Sequence, residues 1–308
     1  MSYLLQNLEI RSKLIYYIRE FFHSRNFKEV ETPVLVDSLI PESYLEYFKT
    51  QLIDRKGNTK TMYLTASPES SIKKLLALGI GNCFEITRSF RNTETDSYLH
   101  NPEFTILEWY RINATYNDIM QDCEDLFVYL LNKLNLPNLL TYQGLRVDLT
   151  PPWKRLSMVE AFLKYAHLDL EKALSLDVMK SESLKRGYLQ NSKTTWEELF
   201  NQIFLNEVET DDPRFAQRFE FYIAGLELGN CFTELIDPIE QKKRFEKEQK
   251  LRKQKKKMKI LKDKQFLEAL AAGLPPCSGI AVGLDRLTML FTNSPRIQDV
   301  LPFAYQSK

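Results

Sequence analysis

RNTETDSYLHNPEFTILEWY, Arg91 to Tyr110, is the stretch that decides the fold. It leads from the end of one alternating segment, through a polar loop, into a second one. Upstream, Cys83 to Arg91 places Phe84, Ile86 and Phe90 on one side and Glu85, Thr87, Ser89 and Arg91 on the other, which is the period of a strand. Downstream, Phe104, Ile106, Glu108 and Tyr110 share a face by the same rule. The expected unit is a hairpin whose polar side carries a guanidinium, an adenine-sized ring and a carboxylate. An arginine at its lip with an acid across from it suits a substrate bearing both an anion and a cation. The alternation is equally that of an amphipathic hairpin with charged residues in solvent.

A chain of 308 residues can bury a sizeable core, as one large domain or two modest ones. Its net charge of +1 sets up no global field toward nucleic acid or a membrane surface. The stretch from Lys242 to Lys264 is nevertheless dominated by Lys and Arg. It reads as the solvated side of a helix or a loop, with a phosphate-rich or acidic partner as the alternative. Four separated cysteines, Cys83, Cys123, Cys231 and Cys277, and only three histidines give no zinc pattern. Their apolar surroundings suit reduced core residues in a reducing compartment. The sequence offers neither a signal peptide nor a span of membrane length, so a cytoplasmic protein is expected.

Outward from the hairpin, Leu8, Arg11, Leu14, Ile15, Ile18, Phe21 and Phe22 mark an amphipathic helix ended by Asn26. Lys28 to Thr32 reads as a strand stopped by Pro33, and Asp54 to Lys60 as a hairpin turn. Helices are expected at about 68–78 and 117–134, and a helical insert at about 137–209. Within the insert, Ser157/Glu160 and Thr195/Glu198 fit capping boxes. Strands at 218–224 and 226–235, a helix over the Lys-rich run, a strand at 278–282 and a helix from Asp285 complete the chain. The fold class expected is α+β, an antiparallel sheet flanked by helices. Neither a P-loop nor a G-x-G-x-x-G motif is present.

Three distant patterns carry a family resemblance: the first helix with its strand and Pro33, the Arg91 hairpin, and Gly279-Ile280-Ala281-Val282-Gly283-Leu284-Asp285-Arg286. Together they resemble the three motifs of class II aminoacyl-tRNA synthetases. FRN, HNPEFT-x-x-E-x-Y, ELGN-x-F-x-EL and GLDRL are most similar to lysyl-tRNA synthetases. The resemblance implies a class II catalytic domain that joins an amino acid to AMP using ATP and Mg²⁺. By the same resemblance, Arg91 bridges the substrate carboxylate and the α-phosphate, and Arg286 holds the triphosphate tail. Asn92, Glu94, His100, Asn101, Phe104, Leu228 and Gly283 contact the nucleotide, Phe104 by stacking on adenine. Glu220 and Glu227 hold Mg²⁺. Ser67, Glu69, Glu108, Tyr110, Asn230, Glu234 and Ala281 bind the amino acid, with Glu108 and Glu234 around its side-chain ammonium. Two buried acids without a cation suffer desolvation and repulsion, which a lysine-like ligand would relieve.

The first helix begins within the first ten residues, so the anticodon-reading OB-fold of a lysyl-tRNA synthetase is not expected, nor is tRNA as a partner. The phrases SPE, LEWYR and PPCSGIAVGLDRL resemble the stand-alone paralogues that attach lysine, preferentially (R)-β-lysine, to a lysine of elongation factor P. Ala281 stands where lysyl-tRNA synthetases have glycine, a methyl that would reshape a tight pocket. The alternatives are a truncated lysyl-tRNA synthetase paralogue and a non-catalytic nucleotide-binding one. Motif 1 implies a homodimer. Thr93 occupies the place of the motif 2 acid, so Glu94 is expected to substitute after a one-residue insertion. Tyr98-Leu99 replace a loop arginine, and a family strand between about 207 and 214 is expected to be missing. Gly229 is expected to hold a bulge that brings Glu227 onto the face of Asn230 and Glu234.

Overall fold

The structure, a computed structural model, describes residues 3–95, 97–191, 194–204 and 218–305. The first helix, α1 (Tyr3–Ser24), buries Asn7, Arg11, Leu14, Ile18, Phe21 and Phe22 along one stripe, the three- and four-residue spacing of a core-facing helix. Asn26 ends it with φ of 61°. The following strand is shorter than expected: β1 is only Lys28–Glu29, and it pairs parallel with β5 (Cys83–Phe90). Beyond it, the N–H and hydroxyl of Thr32 donate to the buried Glu85 carboxylate, both at 2.9 Å, so a side chain replaces further ladder bonds.

The main sheet has the order β1-β5-β6-β11-β10-β9, with β6 at Glu103–Ile112, β9 at Arg218–Ile223, β10 at Leu226–Thr233 and β11 at Cys277–Gly283. All pairs except β1–β5 are antiparallel. Its pleat separates two environments. Phe84, Leu107, Trp109, Ile280, Val282, Cys231, Phe219 and Phe221 fill the core. Against them pack α1, α3 (Tyr116–Lys133) and α9 (Leu284–Thr292). The opposite face presents Glu85, Glu108, Ala281, Asn230 and Glu220 in one row across five strands, as the register fixes. All four cysteines are buried and free.

A smaller sheet, β2 (Leu35–Val36), β4 (Thr59–Leu64) and β3 (Lys49–Ile53), flanks this face. Its expected turn is built by Asp54, whose carboxylate accepts from the N–H groups of Lys56 and Asn58, with Gly57 at φ 82°. The stretch expected to be a purely helical insert opens instead with a hairpin, β7 (Leu139–Tyr142) and β8 (Leu145–Asp148). Gln143 and Gly144 both take positive φ, the two-residue turn that matches strand twist. Then follow α4 (Met158–Tyr165), α5 (Leu176–Lys185) and α6 (Trp196–Ile203) around their own core of Phe162, Met179, Leu199 and Ile203. Both expected capping boxes form, Ser157 with Glu160 and Thr195 with Glu198. The strand expected to be missing near 207–214 lies outside the described residues.

The Lys-rich run is not one helix. The helix α7 (Pro238–Gln254) stops, Lys256 takes φ of 54°, and α8 (Lys264–Gly273) restarts on the Asp263 cap. No helix among the described residues is long and apolar enough to cross a membrane.

One buried ion pair joins the layers. Arg11 of α1 meets Asp285 of α9 at 2.5 Å and donates to the Thr105 hydroxyl of β6 at 2.8 Å. Asp285 also accepts from the Thr105 N–H at 2.8 Å. Burial pushes the Asp285 carboxyl above its usual range, and Arg11 opposes that. Replacing Arg11 by Met should cost about 3–5 kcal/mol, since it strands a buried charge. The double replacement Arg11→Met/Asp285→Leu should recover part of that loss in urea unfolding. A single-variant loss below about 1 kcal/mol, the range of a surface pair, would refute the assignment.

Candidate active site

The strands bring the separated motifs to one face. In β10 the register to β9 slips between Glu227, opposite Tyr222, and Gly229, opposite Phe221, leaving Leu228 as the extra residue. This bulge sets Glu227 on the same face as Asn230 and Glu220. The bulge expected at Gly229 is present, and the glycine has a second role. It faces the core, where a Cβ would lie 2.5 Å from the Phe221 ring.

A cavity of about 260 Å³ opens above this face. Arg91, Glu94, His100, Asn101, Phe104, Glu227, Leu228, Asn230, Ala281, Gly283 and Arg286 line it, with Tyr44 from the loop before β3. The Arg91 guanidinium lies 5.3 Å from the Phe104 ring centre and 3.6 Å from the Glu94 carboxylate. Thr93 takes φ of 72°, and Glu94 meets Arg91. The Arg91 Nε is buried and has no hydrogen-bond partner among the described residues. A buried donor left open in this way calls for an acceptor, and an anion is the natural one.

Arg286 sits in the first turn of α9 and donates to the Glu227 carbonyl at 2.9 Å. Its Nη2 lies 2.8 Å from His100 Nε2. Burial and then the Arg286 charge hold the His100 pKa below the usual range, so the ring is neutral and accepts from the guanidinium. Glu227 lies 3.5 Å from Arg286, whereas Glu220 takes bonds from Asn230 at 3.3 Å and Tyr222 at 2.9 Å. The two acids therefore rest on different partners. No cluster of three or more potential metal ligands occurs among the described residues. Two carboxylates of this kind fit a hard cation whose other ligands are phosphate oxygens and water.

Next to this cavity the acids expected to bind an amino acid form a hydrogen-bonded group. Ser67 donates to Glu108 at 2.6 Å, and Tyr110 does so at 3.2 Å. Burial pushes the Glu108 carboxyl up to about 8, against those two bonds. The Asn230 Oδ1 is a buried acceptor without a partner among the described residues. The picture of Glu108 and Glu234 as a vacant pair needs correction. Glu234 is already bound, at 2.5 Å, by Lys73, which also lies 2.5 Å from Glu69.

Two expected nucleotide residues are otherwise engaged. Asn92 does not line the cavity; its side chain accepts from the Thr93 N–H. Asn101 does line it, but its amide bonds the Glu103 carbonyl and the Tyr305 N–H. Glu220 lines a separate cavity of about 500 Å³ beside β8 and α3.

Sequence reasoning missed Lys73, Glu42, Tyr44 and Arg252. Lys73 had a signal, since it is a charge four residues after Glu69 on the buried face of α2 (Glu69–Ala77). Glu42 and Tyr44 lie in an aperiodic loop, hydrogen-bonded to each other, and burial pushes Glu42 up to about 6 against that bond. The loop is clamped through its backbone. Arg252, 3% exposed, donates to the Glu42 and Leu45 carbonyls at 2.7 and 2.6 Å. Glu248 accepts from the Ser43 N–H, and Lys257 donates to the Tyr44 carbonyl.

Gly279 makes room for Tyr110. A Cβ there would lie 2.2 Å from the ring, while β11 is held by a strand on each side. Gly279→Ala should swing the ring away, break its bond to Glu108 and cost about 1–3 kcal/mol by overpacking. Urea unfolding and a crystal structure of the variant test this; an unmoved ring would contradict it.

The family description "tRNA synthetases class II (D, K and N)" matches residues 2–307. The lysine–tRNA ligase of Legionella pneumophila (strain Lens) is 38% identical to this chain, covering 96% of it and 64% of the relative. Those of Thermoanaerobacter sp. (strain X514) and Thermotoga maritima are 35% identical, covering 95% and 97% of this chain and 62% of each relative. The chain thus spans just under two thirds of the length of these curated relatives. With the motifs gathered on one face of an antiparallel-rich sheet and a match across nearly the whole sequence, the chain belongs to the class II tRNA synthetases (D, K and N).

Proposed function

We propose that this chain activates lysine or (R)-β-lysine with ATP and transfers it to a lysine side chain of elongation factor P. The observation that carries the first half is the buried Arg91 Nε, without a hydrogen-bond partner among the described residues, in a cavity whose Ala281 lies opposite the buried acid Glu108 in the sheet. An anion-seeking donor and cation-seeking acids lie side by side, as a zwitterion with a charged tail requires. In the first step a substrate carboxylate oxygen bonds to the α-phosphorus and the bond to pyrophosphate breaks. Arg91 neutralises the two anions as they meet, and Arg286 holds the departing phosphates. Neutral His100 fixes the Arg286 fork by accepting one of its hydrogens. Glu220 and Glu227 would hold Mg²⁺, which supplies charge neutralisation to the triphosphate. In the second step the acceptor amine attacks the activated carbonyl and AMP leaves. No side-chain nucleophile is needed, because positioning and electrostatics supply the acceleration.

Support for a β-amino acid and a protein acceptor is narrower. It rests on the resemblance of SPE, LEWYR and PPCSGIAVGLDRL, and on Ala281, which sits between Glu108 and Asn230 in the sheet. A homodimer through α1 and a cytoplasmic location belong to the same proposal. Transfer to tRNA is the competing reading, favoured by the names of the relatives.

Pyrophosphate exchange with α-lysine and with (R)-β-lysine tests activation, and Arg91→Ala should lower it by about 10²–10³. Incubation of the product with elongation factor P or tRNA decides the acceptor. Transfer to tRNA alone would sink the protein-ligase reading, and nucleotide binding without any exchange would favour a non-catalytic paralogue.

A pH dependence follows from Glu108. Its raised pKa means that the empty folded state keeps a proton that the unfolded chain has lost. Stability of the empty protein should therefore fall as pH rises from the ordinary carboxylate range to about 8. A cationic ligand selects the ionised form, so affinity for lysine should rise with pH up to that point. Calorimetry in buffers of different ionisation enthalpy at pH 7 should register proton release on binding, and Glu108→Gln should reduce it to the share of Glu234, which burial also pushes up, to about 7. Uptake of a proton instead would reverse the assignment.

A further inference from the structure

Lys73 is the charge in this site that nothing above uses. It lies on the buried side of α2 and is 4% exposed. Its ammonium lies 2.5 Å from Glu69 Oε1, on its own helix, and 2.5 Å from Glu234 Oε2, just beyond the end of β10. The Phe266 ring of α8 lies 6.0 Å behind it. Burial disfavours the ammonium, but the two carboxylates outweigh that and raise its pKa, so it is charged. Isolated at a surface, such a pair four residues apart would be worth little, about 0.3–0.5 kcal/mol. Here the same ammonium also reaches an acid just past the end of β10 and is shut away from water.

The atoms it leaves open are informative. Each acid gives Lys73 one oxygen, and the second oxygen of Glu69 and of Glu234 accepts no hydrogen bond among the described residues. Glu108 has both oxygens engaged, but only by the neutral hydroxyls of Ser67 and Tyr110. Three carboxylates therefore face one ammonium. When all are ionised the group carries two uncompensated negative charges. That number equals the two ammonium groups of a lysine-type amino acid, whose own carboxylate is left for Arg91. Without Lys73 the same acids would carry three, and one would keep a proton or draw in a stray cation.

We propose that Lys73 is a positioning residue for the amino acid: it holds one oxygen of Glu69 and one of Glu234, leaving the others for the ligand, and sets the pocket's charge to match a substrate with two ammonium groups. This rests on the reading of a lysine-type substrate given above. Lys73 bonds no reacting atom; it acts through the two acids. A tether between α2 and β10 that served stability alone would not tie ligand affinity to the charge count.

The test is calorimetric binding of L-lysine and (R)-β-lysine to the full chain, with ATP binding as the internal control and thermal unfolding to confirm folding. Lys73→Met should weaken amino acid binding at least about tenfold and leave ATP affinity within about twofold, the differential of one lost charge contact. Lys73→Met/Glu234→Gln removes a positive and a negative charge together and restores the count. It should bind more tightly than Lys73→Met alone, although one ligand contact is weakened. Since the double variant carries the same two uncompensated acids as wild type and not the three of Lys73→Met, it remains measurable if Lys73→Met fails to fold. Its lysine affinity should then lie within about tenfold of wild type. Wild-type binding with unchanged affinity in Lys73→Met overturns the inference and leaves the substrate reading intact. The same holds for a double variant weaker than the single one, or more than tenfold weaker than wild type where only the double folds. Absence of wild-type binding to either lysine overturns both.

Discussion

The geometry of the candidate site depends on the buried pair between Arg11 and Asp285. Asp285 immediately precedes Arg286, and Thr105, which contacts both members of the pair, immediately follows Phe104. One carboxylate thus sets the spacing between the arginine of the last helix and the ring under Arg91. A buried ion pair is poor evidence for stability in itself, since desolvation offsets much of its attraction. Its value here is registration: three elements from the beginning, middle and end of the chain are keyed to two neighbouring atoms. The electrostatics also fit, because an acid in the first turn of α9 complements the helix dipole that Arg286 opposes.

On this frame the sheet divides labour by pleat. One face is sealed by Phe84, Trp109, Phe221 and the helices, which keeps water from the strands and makes the register rigid. The other gathers carboxylates in a row that water would normally separate. Burial raises Glu108, and Lys73 partly offsets the repulsion between Glu69 and Glu234. Charges held this way cost folding free energy that a matching ligand can return, which is how a polar pocket comes to discriminate.

Much of this was legible in the sequence where period and chemistry coincide. Alternation placed Arg91, Phe104, Glu108 and Tyr110 correctly, and the motif spacing brought Arg286 and Glu227 to the same cavity. Legibility ended where long-range contacts decide. The two-residue β1 is short because Glu85, more than fifty positions away, takes the backbone bond that a strand would have made. The hairpin after α3 depends on Gln143 adopting a backbone conformation that its side chain does not announce. Lys73 entered no reading of the sequence, because its second acid comes from the end of β10, far along the chain. The bulge expected at Gly229 forms, but that the Phe221 ring leaves no room for a side chain there was not legible.

The loop carrying Glu42 and Tyr44 is gripped at these two positions through main-chain atoms, while the buried side chains of Leu45 and Tyr47 pack it against the small sheet. Arg252 and Lys257 hold its carbonyls, Glu248 holds an N–H, and the Asn92 N–H reaches the Glu46 carbonyl at 2.9 Å. Such anchoring is indifferent to the identity of the side chains it supports. Positions 42 and 44 can therefore drift during evolution, or be randomised in a library, without unseating the segment. In a scaffold whose other pocket residues are locked by pleat and ion pairs, that makes this loop the natural place for new substrate preferences to arise.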